Sequence, residues 1–171
     1  MRILVTDGMD KGAIEKVRAM GHELVEQFYE PDELGKALRD FDVAIIRSKT
    51  KLRAKQIDEA KGSRFKCVIR AGVGLDNIDV QYAKDNGIEV KNTPKSPSES
   101  RGTNVDEAAL LDALNSGKVR AAGLDVYADE PATNVALYSH PMVSCTPHIG
   151  SATVEAQGRI GEELVEIISK M

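Results

Sequence analysis

The sequence predicts an α/β fold: a parallel sheet of five strands covered by helices, followed by a shorter second segment. Three observations carry this. Short β-branched runs return at intervals of roughly 20 residues, enough for a strand, a short helix and two tight loops. Helical periodicities fill the intervals, and glycines fall where those helices should stop. Alternation of strand and helix at this period implies parallel strands joined by helical crossovers.

The first strand is Ile3-Leu4-Val5, followed by a helix marked by Ile14, Val17, Arg18 and Met20 and stopped at Gly21. Glu23-Leu24-Val25 is the second strand. Pro31-Asp32-Glu33 then starts a helix, with acids in the first turn, and Leu34, Ala37, Leu38 and Phe41 give it an apolar face at i, i+3, i+4, i+7. Val43 to Ile46 is the third strand, Cys67-Val68-Ile69 the fourth and Ile88-Glu89-Val90 the fifth; Gly62 and Gly87 end the helices before the last two. From Asn92 to Ser100 the chain turns rich in Pro and Ser, the composition of a linker. Beyond it, Val105–Leu114 reads as a helix, Ala121–Tyr127 and Met142–Thr146 as strands, and the stretch from Ser151 as a long helix. Thr153, Glu155 and Gln157 make its polar start, and its apolar stripe is Val154, Ile160, Leu164, Ile167 and Ile168. Two segments result, 1–94 and about 101–171.

Composition removes several function classes. The 171 residues suffice to bury a core without disulfides or metals. The 23 Lys and Arg against 27 Asp and Glu give a net charge of −4, with no basic cluster of the kind that binds nucleic acid. Apolar runs such as Val43–Ile46 are far shorter than a membrane span, and Asp7 interrupts the N-terminus too early for a signal peptide. The expectation is a soluble, cytoplasmic protein. Cys67 and Cys145 lie far apart with no metal-ligand spacing, and both are expected as reduced core residues.

In open α/β sheets ligands bind beyond the carboxyl ends of the strands. There the sequence places Arg47 and Ser48 after strand three, and Arg70 with Gly72-Val73-Gly74 after strand four. Arginine offers carboxylate or phosphate a two-pronged partner, and glycines let backbone N–H groups approach an oxyanion. These residues are therefore read as a small anion site. Gly72-Val73-Gly74 is not a dinucleotide loop, because Asn77 stands where the third glycine belongs. Two functions of this topology also fail. A phospho-receiver needs an Asp where Arg47 stands, and a flavodoxin needs a hydroxyl-rich loop where Asp7-Gly8-Met9-Asp10 would repel phosphate. In the second segment His148, one of three histidines, lies between a strand and the long helix. With a carboxylate such as Glu130 it could form an acid–base pair, and an arginine such as Arg101 could hold a substrate carboxylate.

Read together, four stretches carry a more specific message: Arg70-Ala71-Gly72-Val73-Gly74-Leu75-Asp76-Asn77-Ile78-Asp79; Ser100-Arg101-Gly102 followed by Val105–Leu110; Gly123-Leu124-Asp125-Val126-Tyr127 with Glu130-Pro131; and Thr146-Pro147-His148-Ile149-Gly150. In this order they resemble the NAD-dependent D-2-hydroxyacid dehydrogenases over nearly the whole chain. Leu4–Asp7 and Arg47-Ser48-Lys49-Thr50 look most like the D-3-phosphoglycerate dehydrogenase branch, which serves serine biosynthesis. The resemblance implies a flavodoxin-like, parallel five-stranded substrate domain over 1–97, completed by the helix at about 152–171, plus a remnant of a Rossmann domain over 98–151. It implies a catalytic set of Arg101, Glu130 and His148. Substrate would be received by Arg47, Ser48, Arg70, Gly72, Val73 and Gly74. NAD would be flanked by Val73, Ser100, Asp125, His148, Gly150 and Ser151, and no metal is implied.

One departure stands out. In the family the linker leads into a dinucleotide-binding domain with its Gly-rich loop, and the Ser-Arg-Gly motif arrives near that domain's end. Here Ser100-Arg101-Gly102 follows the linker at once, so a body on the order of a hundred residues or more is missing. NAD binding by this chain is therefore doubtful, and inactivity is expected. The strands left without neighbours predict either pairing with a second copy, giving a homodimer, or poor order.

Overall fold

The computed structural model describes residues 1–95 and 104–171, except for the side chain of Ser151. Five strands, β1 (Arg2–Val5), β2 (Glu23–Glu26), β3 (Val43–Ile46), β4 (Cys67–Arg70) and β5 (Glu89–Asn92), form one sheet in the order β2-β1-β3-β4-β5. All neighbouring pairs are parallel, and Ile46 lies opposite Arg70 where β3 and β4 end. This is the flavodoxin-like order.

The crossovers are α1 (Lys11–Ala19), α2 (Pro31–Leu38), α3 (Ala54–Ala60) and α4 (Val80–Asp85). Local chemistry fixes their ends. The Ala13 N–H donates to the Asp10 carboxylate at 3.0 Å to open α1, and Pro31 with Asp32 and Glu33 starts α2. Gly21, Gly62 and Gly87 take φ of 87°, 74° and 76° after their helices, a region that disfavours side chains.

Side chains alternate across the sheet, so each strand feeds two cores. Leu4, Ala44, Ile46 and Val68 pack with Leu34, Leu38, Ile57 and Ala83 beneath α2, α3 and α4. Ile3, Val5, Val43, Ile45, Cys67 and Ile69 face the other side, where α1 supplies Ile14 and Val17. One nine-residue helix cannot cover that face. The rest of the cover comes from α7 (Val154–Ser169), whose Ile160, Leu164 and Ile168 are buried at 4% exposure or less. Each such side chain contributes about 1.5–3 kcal/mol. Gly161 permits the close approach, since a Cβ there would stand 2.9 Å from that of Ala13.

The remaining described residues build α5 (Glu107–Asn115), β6 (Ala122–Leu124), α6 (Val135–Tyr138), β7 (Val143–Cys145) and a 3₁₀ turn (Gly150–Ala152). β6 and β7 pair in parallel. The chain divides into two compact units, 1–97 with 154–171, and 98–153.

Four sequence expectations change. The strands expected over Ala121–Tyr127 and Met142–Thr146 shrink to three residues each, because beyond Leu124 and Cys145 side-chain bonds from Asp125 and Tyr127 replace the ladder. Cys145 is exposed, since the two-stranded pair leaves part of its surface uncovered, whereas Cys67 is buried as expected. Val154 is 89% exposed: the stripe of α7 begins at Ala156, and its first turn has no apolar neighbour to meet. In α1, Arg18 and Met20 lie outside the buried face, which consists of Ala13, Ile14 and Val17. Among the described residues no helix is long and apolar enough to cross a membrane.

Candidate active site

In the first unit, the ends of β1, β3 and β4 build a cradle. The Asp7 carboxylate accepts the Arg47 N–H at 2.8 Å, the Thr50 N–H at 3.0 Å and the Thr50 hydroxyl at 2.7 Å. It thereby folds residues 47–50 into a tight turn that leaves Ser48 and Lys49 exposed. Asn77 closes the turn from the β4 side, its amide donating to the carbonyls of Arg47 and Thr50, both at 2.7 Å. The residue that broke the glycine fingerprint is thus a buried strut. The Arg47 guanidinium makes no hydrogen bond or ion pair among the described residues, and Lys49 stands 4.0 Å over the Phe28 ring.

Arg70 behaves differently from Arg47. Its side chain doubles back over its own loop, where Nη1 donates to the Ala71 carbonyl at 3.2 Å. Gly72, at φ 140°, makes room for it; a Cβ there would stand 1.3 Å from Nη1. The same loop is pinned by Gly72 N–H donating to Thr93 at 2.7 Å and by Asn92 donating to the Val73 carbonyl at 2.8 Å. Val73 and Gly74 remain partly exposed.

In the second unit the structure brings Glu130 and His148 together, with Nδ1 of His148 2.8 Å from Oε2 of Glu130. A carboxylate only accepts, so Nδ1 carries the proton and Nε2 is left for other chemistry. His148 has φ 53°, an uncommon conformation for a residue with a side chain. Asp125 braces it. Its carboxylate accepts from the Thr146 hydroxyl at 2.6 Å, the Ile149 N–H at 2.8 Å and the Gly150 N–H at 2.7 Å. The Thr146 hydroxyl, these two N–H groups and the neighbouring His148 hold the Asp125 carboxyl below the usual carboxylate range. The pair opens onto a cavity of about 540 Å³ lined by Tyr127, Pro131, Tyr138, Cys145 and Pro147 among others. That volume suits a small ligand. The other histidines serve the backbone: His22 contacts the N-terminal amine at 3.1 Å, and His140 accepts the Met142 N–H at 3.1 Å.

Arg101 and Ser100 lie outside the described residues, as does the side chain of Ser151. Gly150 is placed against Asp125, where a Cβ would come within 3.0 Å of its carboxylate. Asp7, Asn77 and Tyr127 are site-building residues that sequence reasoning did not assign. All three stand in stretches that carry the resemblance, Leu4–Asp7, Arg70–Asp79 and Gly123–Tyr127, without a site role attached to them.

The five-stranded parallel sheet of the first unit and the His–Glu pair of the second define the class. Residues 3–171 match the family model for the D-isomer specific 2-hydroxyacid dehydrogenase catalytic domain, and the chain belongs to that family. Its relatives include a hydroxypyruvate reductase of Thermotoga maritima, 27% identical over 300 aligned positions covering 99% of this chain and 97% of that protein. Since this chain has 171 residues, well over a hundred of those positions lie opposite a gap. A D-3-phosphoglycerate dehydrogenase of Mycobacterium tuberculosis is 52% identical over 69 residues, 40% of this chain but 13% of that protein. The human D-3-phosphoglycerate dehydrogenase is 45% identical over 93 residues, 54% of this chain and 16% of that protein. The phosphoglycerate dehydrogenase matches thus cover less than a fifth of those relatives' own length.

Among solved structures, a Thermus thermophilus protein superposes with a TM-score of 0.76 at 20% identity, covering 99% of this chain and 96% of that one. An NADPH-dependent glyoxylate/hydroxypyruvate reductase of Sinorhizobium meliloti, in complex with NADP and malonate, gives 0.69 at 20% identity, covering 98% and 92%. Both likenesses are of fold.

Proposed function

We propose that this chain carries the substrate-binding and acid–base parts of a D-2-hydroxyacid dehydrogenase of the phosphoglycerate type, whose reaction converts 3-phosphoglycerate to 3-phosphohydroxypyruvate. The Glu130–His148 pair at 2.8 Å carries this reading. Glu130 fixes the ring so that Nε2 can accept the substrate's hydroxyl proton, and the carboxylate stabilises the imidazolium that forms. Arg101 would hold the substrate carboxylate, as the resemblance implies. In the first unit, the unpaired guanidinium of Arg47, the hydroxyl of Ser48 and the ammonium of Lys49 offer charge for a phosphate or a second carboxylate. The substrate is then a small anionic 2-hydroxy acid, with neither nucleic acid nor membrane as partner.

Nicotinamide supplies the hydride acceptor in the family's reaction, and this chain's residues do not fit the whole dinucleotide. No Gly-x-Gly-x-x-Gly occurs in the 171 residues, and Asn77, in place of the third glycine, is bonded into the turn below it. The carboxylate of Asp125, expected beside the nicotinamide, already accepts three bonds from the histidine loop. We read 98–151 as the tail of a dinucleotide-binding domain whose body is absent, in keeping with the gapped alignment to the Thermotoga maritima reductase. The missing loop favours a second reading: an inactive substrate-binding or oligomerisation module of the family, with β6 and β7 pairing across a homodimer. The test is calorimetric titration with 3-phosphoglycerate and with glycerate. Arg47→Ala should weaken 3-phosphoglycerate binding about tenfold or more, the loss of one charged contact. Equal affinity in wild type and variant would refute the assignment of Arg47.

A further inference from the structure

Tyr127 touches Glu130 and the loop that carries His148. Its backbone N–H donates to Oε1 of Glu130 at 3.3 Å, the carboxylate oxygen that His148 does not use. Its hydroxyl reaches the Thr146 carbonyl at 2.9 Å, with the Leu124 carbonyl at 3.2 Å as a second acceptor. The Thr146 carbonyl also accepts the His148 N–H at 3.1 Å. The phenol and the histidine backbone therefore meet on one oxygen.

This arrangement matters because little else spans the gap. β6 and β7 stop after three residues each, at Leu124 and Cys145. The Thr146 N–H still donates to the Leu124 carbonyl at 2.9 Å, and beyond that bond the loop carrying Glu130 and the loop carrying His148 are joined by the Tyr127 hydroxyl, by Asp125 and by the pair itself. Asp125 grips Thr146, Ile149 and Gly150, all in the histidine loop, and makes no bond to Glu130. Tyr127 grips both.

We propose that Tyr127 is a positioning residue for this site: its hydroxyl locks the histidine loop against the glutamate loop and so sets the Nδ1–H···Oε2 bond between His148 and Glu130. This rests on reading those two residues as the acid–base pair. The Cys145 thiol beside it and partial burial push the Tyr127 phenol up to about 12, so it stays a donor throughout the neutral range. The charged and titratable groups facing the pair and its loops include Asp125, Tyr127, Tyr138, Cys145 and Glu107, whose carboxylate accepts the Ala128 N–H. A phenylalanine would keep the ring in the cavity wall and remove only the hydroxyl.

Histidine-selective ¹⁵N NMR on the whole chain reads this directly, with His22 and His140 as controls in the same spectrum. Wild type should show a downfield, slowly exchanging Nδ1 proton on His148, and Glu130→Ala should abolish it. Tyr127→Phe should also broaden or abolish it, while the backbone amide spectrum of residues 104–153 and the signals of His22 and His140 persist. A wild-type signal retained in Tyr127→Phe would overturn the role of Tyr127 and leave the pair standing. A signal indifferent to Glu130→Ala would overturn the pair and the proposal with it. Collapse of the 104–153 amide spectrum in Tyr127→Phe would overturn it too, by showing a tie that holds the unit's fold instead of the pair.

Discussion

Asp7 and Asn77 show how much of the proposed anion cradle is made by residues whose bonds go to the turn itself. Between them they satisfy two N–H groups, one hydroxyl and two carbonyls of the turn that presents Arg47. Asn77→Ala leaves two carbonyls without their donor at a site only 4% exposed, so it should cost about 1–3 kcal/mol in urea unfolding and lower 3-phosphoglycerate affinity. Unchanged stability would contradict the strut. The cysteines give a second test. Burial pushes the Cys67 thiol up to about 12, while Cys145 is exposed. A disulfide reagent at neutral pH should modify one thiol in the folded chain, and Cys145→Ser should remove that reaction. Glu130 and His148 were legible in the sequence because their motifs keep fixed neighbours. Asp7, Asn77 and Tyr127 stand in the quoted stretches too, but their bonds to Thr50, Arg47 and Thr146, 43, 30 and 19 residues away, were not legible, because no residue pattern announces them.

Among the elements, α7 has the clearest dependence on a single position. Gly161 faces Ala13 and Asp10 at distances a side chain cannot share, 2.9 and 3.0 Å from an added Cβ. Gly161→Val should therefore cost about 1–3 kcal/mol through overpacking, despite the helix propensity it gains. A stability equal to wild type in thermal unfolding would show that α7 can move away freely. The start of β3 offers a pH test. Asp42 accepts from Arg64 at 2.8 and 3.0 Å and from the Arg2 N–H at 2.7 Å, and these bonds, Arg64 first, hold its carboxyl below the usual range. A carboxyl depressed in the folded state stabilises above its unfolded pKa of about 3.9, and that contribution is lost as pH falls through the folded value. Asp42→Asn should be less stable than wild type near neutrality, and the difference should shrink below about pH 4. A constant difference across pH would contradict the ion pair's role. The five strands of the sheet were readable because their period and β-branched runs are local. Val154 misled because periodicity gives the phase of a stripe but not where the neighbouring surface ends. The lengths of β6 and β7 misled because apolar content does not reveal how many strands are present to pair with.

At the scale of the whole chain there are two compact units, between which the proposed function divides one family's chemistry. The first is a full five-stranded sheet with both faces covered, closed by the helix that ends the chain. The second holds the Glu130–His148 pair beside a pair of short strands, and among the described residues 104–153 only Leu114 and Leu137 are buried hydrophobics. The interrupted order of motifs was visible in the sequence, where the Ser-Arg-Gly motif follows the linker directly, and the alignment to the Thermotoga maritima reductase spans 300 positions while covering 99% of a 171-residue chain. The central claim is that substrate and proton chemistry remain here while the dinucleotide's binding loop does not. Calorimetric titration of the 171-residue chain with NADH, followed in parallel by NADH emission, tests it most directly. The account predicts no saturable binding up to about millimolar NADH, a free energy weaker than about −4 kcal/mol. Saturable binding at micromolar NADH would contradict it.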